Sequence, residues 1–185
     1  MKNVILAPGF NGTSKIFKYF ERELSAKGYN VIILESPLRE EITWQGYEDA
    51  FDKIKEKLKD SIVIAHSIGC AMTVRYVGQN PEIAPSAFIS LAGFPEAFKT
   101  EGRPDLDKAV SETTIKSDEL KNFIENVPQR YSLFSDNDHV VPYELLIAFP
   151  YILQAKAIQV PGAGHMGSKS GLEEFPEVIH IIESL

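Results

Sequence analysis

Six short apolar runs, separated by longer stretches with helical periodicity, constrain the fold of this chain more than any other feature of its sequence. The runs cover residues 3–7, 31–34, 61–65, 86–92, 130–134 and 157–160. Each is short and rich in β-formers, which predicts a strand. The first four are apolar almost throughout instead of alternating, a pattern typical of parallel strands buried on both faces. We therefore expect a mostly parallel sheet of about six strands.

The stretches between these runs carry apolar residues along one side. In one of them, Tyr47, Phe51, Ile54 and Leu58 recur at spacings of four, three and four, which predicts one amphipathic helix with these residues in the core. Comparable stripes lie near both ends of the chain, at Ile16, Phe20 and Leu24 and at Phe175, Val178 and Ile182. The repeated β-α order predicts a three-layer α/β sandwich with helices on both faces and right-handed crossovers.

Residues 94–116 interrupt this order. The segment contains Pro95, Gly102, Pro104 and many charges, so we expect a loop or a short helix there. No internal repeat, low-complexity tract or linker divides the sequence. The prediction is a single domain over residues 1–185 with no room for a large cap domain.

Charge and cysteine content narrow the function classes. The chain has 19 Lys plus Arg against 26 Asp plus Glu, a net charge of −7, so nucleic acid is not an expected partner. The single cysteine, Cys70, excludes an intramolecular disulfide and fits a reducing cytoplasm. The apolar segment 4–7 is too short for a signal peptide, and no run approaches the ~20 residues of a membrane span. We expect a soluble, unprocessed protein whose oligomeric state the sequence leaves open.

A serine lies where the third predicted strand runs into a helix, in the segment Ala65-His66-Ser67-Ile68-Gly69. Small residues stand two positions before and after Ser67, and side chains larger than methyl at those positions are expected to collide with the turn. This pattern is typical of the nucleophile elbow, G-x-S-x-G, with Ala65 in place of the first glycine.

Backbone donors for an oxyanion are expected next to this serine. The N–H of Ile68 would lie at a helix amino terminus, where the helix dipole favours negative charge. The loop after the first strand, residues 8–12 with the sequence PGFNG, can supply a second donor from Phe10 or Asn11.

A serine hydroxyl needs a base, and the best candidate is His165 in the glycine-rich loop 162–166. The preceding loop offers a carboxylate that would hold the imidazole tautomer. Asp138 is favoured by its D-x-x-V-P spacing, and Asp136 in the same loop stays an alternative. The order Ser67, Asp138, His165 along the chain is the order of α/β-hydrolases.

The other histidines fit poorly as the base. His139 adjoins Asp138 and cannot easily turn its ring onto that carboxylate and onto Ser67 together. His66 is expected to be a semi-buried neighbour of the elbow, and His180 is expected to lie on a helix surface.

Two further motif matches in the sequence are accidental. Residues 162–167 match G-x-G-x-x-G, but too little chain follows to complete a βαβ unit. Residues 136–138 begin like a calcium loop but lack its glycine and distal glutamate. No cofactor and no metal are expected.

Four motifs together carry a resemblance: PGFNG at 8–12, AHSIGC at 65–70, SDNDHVVP at 135–142 and GAGHMG at 162–167. Over nearly its full length the chain resembles the compact α/β-hydrolases of the retinoblastoma-binding-protein-9 type and their bacterial relatives. The resemblance implies a minimal α/β-hydrolase fold and hydrolase activity on carboxylic esters or similar acyl groups. It does not extend to retinoblastoma protein, because no L-x-C-x-E segment surrounds Cys70.

The sequence therefore predicts a serine hydrolase that cleaves a small ester or thioester through an acyl-enzyme on Ser67. Two alternatives stay open. One is a binding or regulatory protein that keeps the fold without its chemistry, and the other is an acyltransferase that passes the acyl group to an acceptor other than water.

Overall fold

The computed structural model describes residues 1–10, 15–35, 42–100, 102–167 and 172–185. Within these ranges, parallel strands form one six-stranded sheet in the order β2-β1-β3-β4-β5-β6. The strands are β1 (Asn3–Ala7), β2 (Asn30–Ile33), β3 (Ile62–His66), β4 (Ala87–Leu91), β5 (Gln129–Phe134) and β6 (Lys156–Gln159). Each lies within one residue of its expected bounds, so the predicted parallel sheet is confirmed.

Helices cover both faces of this sheet. They are α1 (Lys15–Ala26), α2 (Trp44–Asp52), α3 (Lys55–Leu58), α4 (Ile68–Gln79), α5 (Pro104–Val110), α6 (Ser117–Asn126), α7 (Tyr143–Ile152) and α8 (Pro176–Glu183). Helix α1 packs against α8, while α4 packs against α2 and α6. The predicted three-layer α/β sandwich is confirmed. None of the described helices is long and apolar enough to cross a membrane.

The centre of the sheet is formed by β1, β3 and β4, and every residue of β4 is buried. The apolar run of β2 also predicted burial on both faces, and that expectation is wrong. Val31, Ile32 and Ile33 are only partly buried, because β2 is an edge strand with a neighbouring strand on one side alone.

The helix expected over residues 47–58 is interrupted. Tyr47, Phe51 and Leu58 are fully buried as expected, but Ile54 has φ −119° and ψ 9° and separates α2 from α3. The N–H of Ile54 donates to the carbonyl of Phe51 at 3.0 Å, a tightened last turn that redirects the chain. Helix α3 then runs beside the start of β1, where the Asn3 amide donates to the carbonyl of Lys57.

The described residues of the segment 94–116 form one short helix, α5, as expected for a loop or short helix. Leu106, Ala109 and Val110 anchor α5 in the core. Between β4 and β5 the described residues form α5 and α6 and no cap domain.

The parallel registers decide where the loops meet. Ala7 of β1 pairs with Ala65 of β3, and Phe134 of β5 pairs with Gln159 of β6. The carboxyl ends of these strands therefore lie along one edge of the sheet, where α/β folds place their sites.

Candidate active site

The turn between β3 and α4 holds Ser67 in a strained backbone conformation. Ser67 has φ 55° and ψ −127° and forms the N-cap of α4, a positive-φ geometry that costs a non-glycine residue on the order of 1–3 kcal/mol. Its N–H donates to the carbonyl of Leu91 at 2.9 Å, which ties the turn to β4. The hydroxyl thus stands at the amino terminus of a helix, beyond the end of a central strand.

The small residues around Ser67 have different neighbours from those expected. A methyl group at Gly69 would lie 2.5 Å from the carbonyl oxygen of Pro8 and 2.6 Å from that of Ala7. The need for a small residue here is therefore stricter than expected, and the obstacle is the backbone that leaves β1 and not the turn itself. Ala65 keeps its methyl group and is completely buried.

Ser67, His165 and Asp138 form one hydrogen-bonded chain. Ser67 Oγ lies 3.0 Å from His165 Nε2, and His165 Nδ1 lies 2.8 Å from Asp138 Oδ2. The hydroxyl donates to Nε2 and Nδ1–H donates to the carboxylate. The Asp138 side chain is 1% exposed and that of His165 is 17% exposed, so the ring remains open to a substrate while the carboxylate is covered.

The loop after β1 approaches the same hydroxyl. A methyl group at Gly9 would lie 2.9 Å from Ser67 Cβ, so only glycine lets the backbone come this close. The preceding carbonyl, Pro8 O, accepts a hydrogen bond from the buried hydroxyl of Tyr47 at 2.8 Å. Phe10 follows and is buried, while Asn11, the other expected oxyanion donor, lies outside the described residues.

Known proteins resemble this chain in sequence and in fold. A family model described as serine hydrolase matches residues 4–184. The chain belongs to the serine hydrolase family. The Bacillus subtilis (strain 168) protein YdeN is 22% identical over 188 residues, which cover 99% of this chain and 95% of that relative.

Solved structures share the fold of this serine hydrolase. The crystal structure of the ydeN gene product from B. subtilis matches with a TM-score of 0.85 and 22% identity, over 100% of this chain and 98% of that chain. A carboxylesterase from the thaumarchaeon Nitrososphaera gargenis matches with a TM-score of 0.74 and 15% identity, over 99% and 89%. A bromoperoxidase from Bacillus anthracis matches with a TM-score of 0.76 and 14% identity, over 100% and 92%.

The carboxylate of Asp138 is held ionised in this serine hydrolase. Burial alone would raise its pKa, but the hydrogen bond and charge of His165 and two backbone donors hold the pKa of Asp138 below its ordinary value. Those donors are the N–H groups of Val140 and Val141, at 2.8 and 3.0 Å from Oδ1. A carboxylate fixed at both oxygens can orient the imidazole and stabilise its positive charge.

The neighbours of Asp138 hold the histidine loop, a role that the sequence reading missed. Asp136 Oδ1 accepts from the N–H of Gly162 at 2.8 Å, and Asn137 Oδ1 accepts from the N–H of Gly164 at 2.7 Å. Both glycines have positive φ. The sequence signal for this role was a run of three consecutive polar residues whose side chains can reach the next loop.

The remaining histidines of the serine hydrolase occupy different environments. His139 and His180 are exposed, whereas His66 is partly buried and its Nε2 lies 2.8 Å from the carbonyl oxygen of His165. Burial and the neighbouring His165 lower the pKa of His66 to about 4. Within the described residues, no group of three or more His, Cys, Asp or Glu side chains is arranged to hold a metal ion.

Proposed function

We propose that this hydrolase uses Ser67 as nucleophile, His165 as general base and Asp138 as the carboxylate that orients the base, and that it cleaves small carboxylic esters or thioesters. One observation carries the proposal: the unbroken chain of hydrogen bonds from Asp138 through His165 to a serine held at positive φ. A structural serine has no need of such a strained position or of two aligned partners.

In the first step, Ser67 Oγ attacks the acyl carbon while His165 Nε2 takes the hydroxyl proton. The Asp138 carboxylate stabilises the imidazolium that results. The carbonyl oxygen becomes an oxyanion, and we assign its binding to the N–H groups of Ile68 and Phe10. One such donor contributes roughly 3 to 4 kcal/mol in well-studied enzymes.

Collapse of the tetrahedral intermediate breaks the bond to the alcohol or thiol, which leaves with the proton from His165. This step leaves an acyl ester on Ser67. In the second step His165 takes a proton from water, and the hydroxide attacks the acyl carbon. The carboxylic acid is released, the proton returns to Ser67 Oγ, and the free enzyme is regenerated.

The proposed substrate class is supported by the small size of the segment between β4 and β5. Its described residues form α5, α6 and their connections and no cap domain, which favours small or surface-presented acyl groups over long buried chains. The fold is shared with a carboxylesterase of Nitrososphaera gargenis and with the thioesterase domain of the curacin biosynthetic pathway, which supports esters and thioesters as the first substrates to test.

The test combines a fluorophosphonate probe with a panel of p-nitrophenyl esters. The wild-type protein should be labelled and should hydrolyse short esters. Ser67→Ala should not be labelled, and its kcat/KM should fall at least about 10⁴-fold. Ser184→Ala, which replaces an exposed serine near the end of α8, is the matched control and should behave as wild type.

The outcomes separate the alternatives. Folded wild-type protein that neither reacts with the probe nor hydrolyses any ester would support a binding protein on a hydrolase fold. Ester consumption that requires an added alcohol or amine acceptor would identify an acyltransferase. Equal hydrolysis by the wild-type and Ser67→Ala proteins would refute the assignment of the nucleophile.

A further inference from the structure

The backbone of His165 is attached to the elbow by a side chain outside the hydrogen-bonded chain already described. His66 Nε2 lies 2.8 Å from the carbonyl oxygen of His165. The two imidazole rings are 4.9 Å apart between centroids and inclined by 57°. His66 immediately precedes Ser67, so one short segment carries both the nucleophile and a contact to the residue proposed as its base.

The chemistry of this contact fixes the state of His66. A carbonyl oxygen can only accept, so Nε2 of His66 carries the hydrogen. The other ring nitrogen faces the loop after β1, since a methyl group at Gly9 would lie 3.2 Å from Nδ1. A methyl group at Gly167, in the histidine loop, would be 3.7 Å from Cε1. The ring therefore lies close to both loops that border Ser67.

We propose that His66 is a positioning residue that sets the distance between His165 and Ser67 by holding the His165 carbonyl against the elbow. The inference rests on the proposed function, since it assigns a task to His66 only if His165 acts on Ser67. Asp138 fixes the direction of the imidazole through Nδ1. His66 fixes the backbone from which that imidazole extends, and the two together determine the 3.0 Å separation of Nε2 and Oγ.

Such a restraint is useful because His165 is distant from Ser67 in sequence and follows a glycine-rich turn. His165 is 98 residues from Ser67 along the chain, and Gly162 and Gly164, which precede it, have positive φ. A displacement of about 1 Å in a reacting group can reduce turnover about 100-fold. A hydrogen-bond donor on the elbow limits the movement of the His165 backbone relative to Ser67, where a displacement affects the reaction most.

Two substitutions separate the donor from the ring. His66→Gln keeps an N–H donor and loses the ring, whereas His66→Phe keeps a ring beside His165 and loses the donor. With p-nitrophenyl acetate, His66→Phe should lower kcat roughly 10- to 100-fold with KM within about twofold. His66→Gln should keep kcat within about threefold of wild type. Circular dichroism and urea unfolding check that both variants are folded.

Each result supports or overturns the proposal. Wild-type turnover by His66→Phe, or equal losses in both variants, would overturn it, because the donor would then have no separate effect. Activity that does not depend on Ser67 would instead overturn the proposed function, and the Ser67→Ala comparison identifies that case first.

A measurement on the unaltered protein tests the inference even where a variant fails to fold. In ¹⁵N-labelled wild-type protein, the imidazole of His66 should carry its hydrogen on Nε2, and this hydrogen should exchange slowly with solvent. An Nδ1–H tautomer would refute the contact. In folded His66→Phe, the Nδ1 proton resonance of His165 should broaden or shift, with Asp138→Asn as the assignment control.

Discussion

His66 should make the stability of this protein sensitive to mild acid. In the unfolded chain its imidazole titrates at the ordinary pKa of 6.5, while the folded environment lowers the pKa of His66 to about 4. Between these values the unfolded state binds more protons than the folded state, so the free energy of unfolding falls as the pH is lowered. The full effect is about 3 kcal/mol once the pH is below both values.

The practical window lies between pH 7.5 and 5.8, which stays above the isoelectric point of about 5.2. Over that range the linkage from His66 alone amounts to about 1 kcal/mol. The experiment is urea unfolding of wild type and His66→Gln at both pH values, followed by circular dichroism and by the fluorescence of Trp44, the only tryptophan. A change of this size moves the urea midpoint by roughly 0.5 M.

The comparison with His66→Gln isolates the contribution of His66 to the pH dependence, since all other titratable side chains are common to both proteins. The wild-type protein should lose about 1 kcal/mol more than the variant on going from pH 7.5 to 5.8. If the two proteins lose the same free energy, His66 is not held neutral by the fold and the reasoning is refuted.

Three further substitutions have definite expected outcomes. Asp138→Asn should lower kcat by roughly 10³ to 10⁴ with the fold intact, because an amide would donate to the imidazole and favour the wrong tautomer; ester turnover measures it, and near-normal activity would contradict the assignment. Gly78→Ala would place its methyl group 2.2 Å from the Glu119 carbonyl oxygen, so the free energy of unfolding should fall by about 1–3 kcal/mol or more, and an unchanged thermal midpoint would show that α6 can move. Gly9→Ala would press on Ser67 Cβ from 2.9 Å and should lower kcat about 100-fold, which initial rates would detect; retained rates would argue against a close loop.

The strands could be located from the sequence because the information is local. Short apolar runs bounded by turn residues give the same answer wherever they occur in a fold. Whether a strand lies at the edge of the sheet does not depend on its own residues, as β2 shows. Val31, Ile32 and Ile33 are as apolar as the residues of β1, yet they are half-buried because the order of strands in the sheet places β2 at an edge.

The break at Ile54 has the same origin. The apolar spacing over residues 47–58 suits one helix, but packing of α3 beside β1 redirects the chain between two helical segments. Similarly, the need for a small side chain at Gly69 was predicted, but its contacts with Ala7 and Pro8 were not. A pattern along the chain records the size of a side chain and not which distant backbone it meets.

The sequence by itself determined the order of the candidate catalytic residues and their positions at strand ends. Strand–turn–helix signals and the spacing D-x-x-V-P depend only on residues that are adjacent in the chain. Only the tertiary structure decided between two carboxylates: Asp138 reaches the imidazole of His165, while Asp136 binds the backbone of Gly162. It also brought His66 to the carbonyl of a residue 99 positions away. Hydrogen bonds of this kind act over about 3 Å, and which groups come that close is settled by the packing of loops that the linear pattern does not relate to one another.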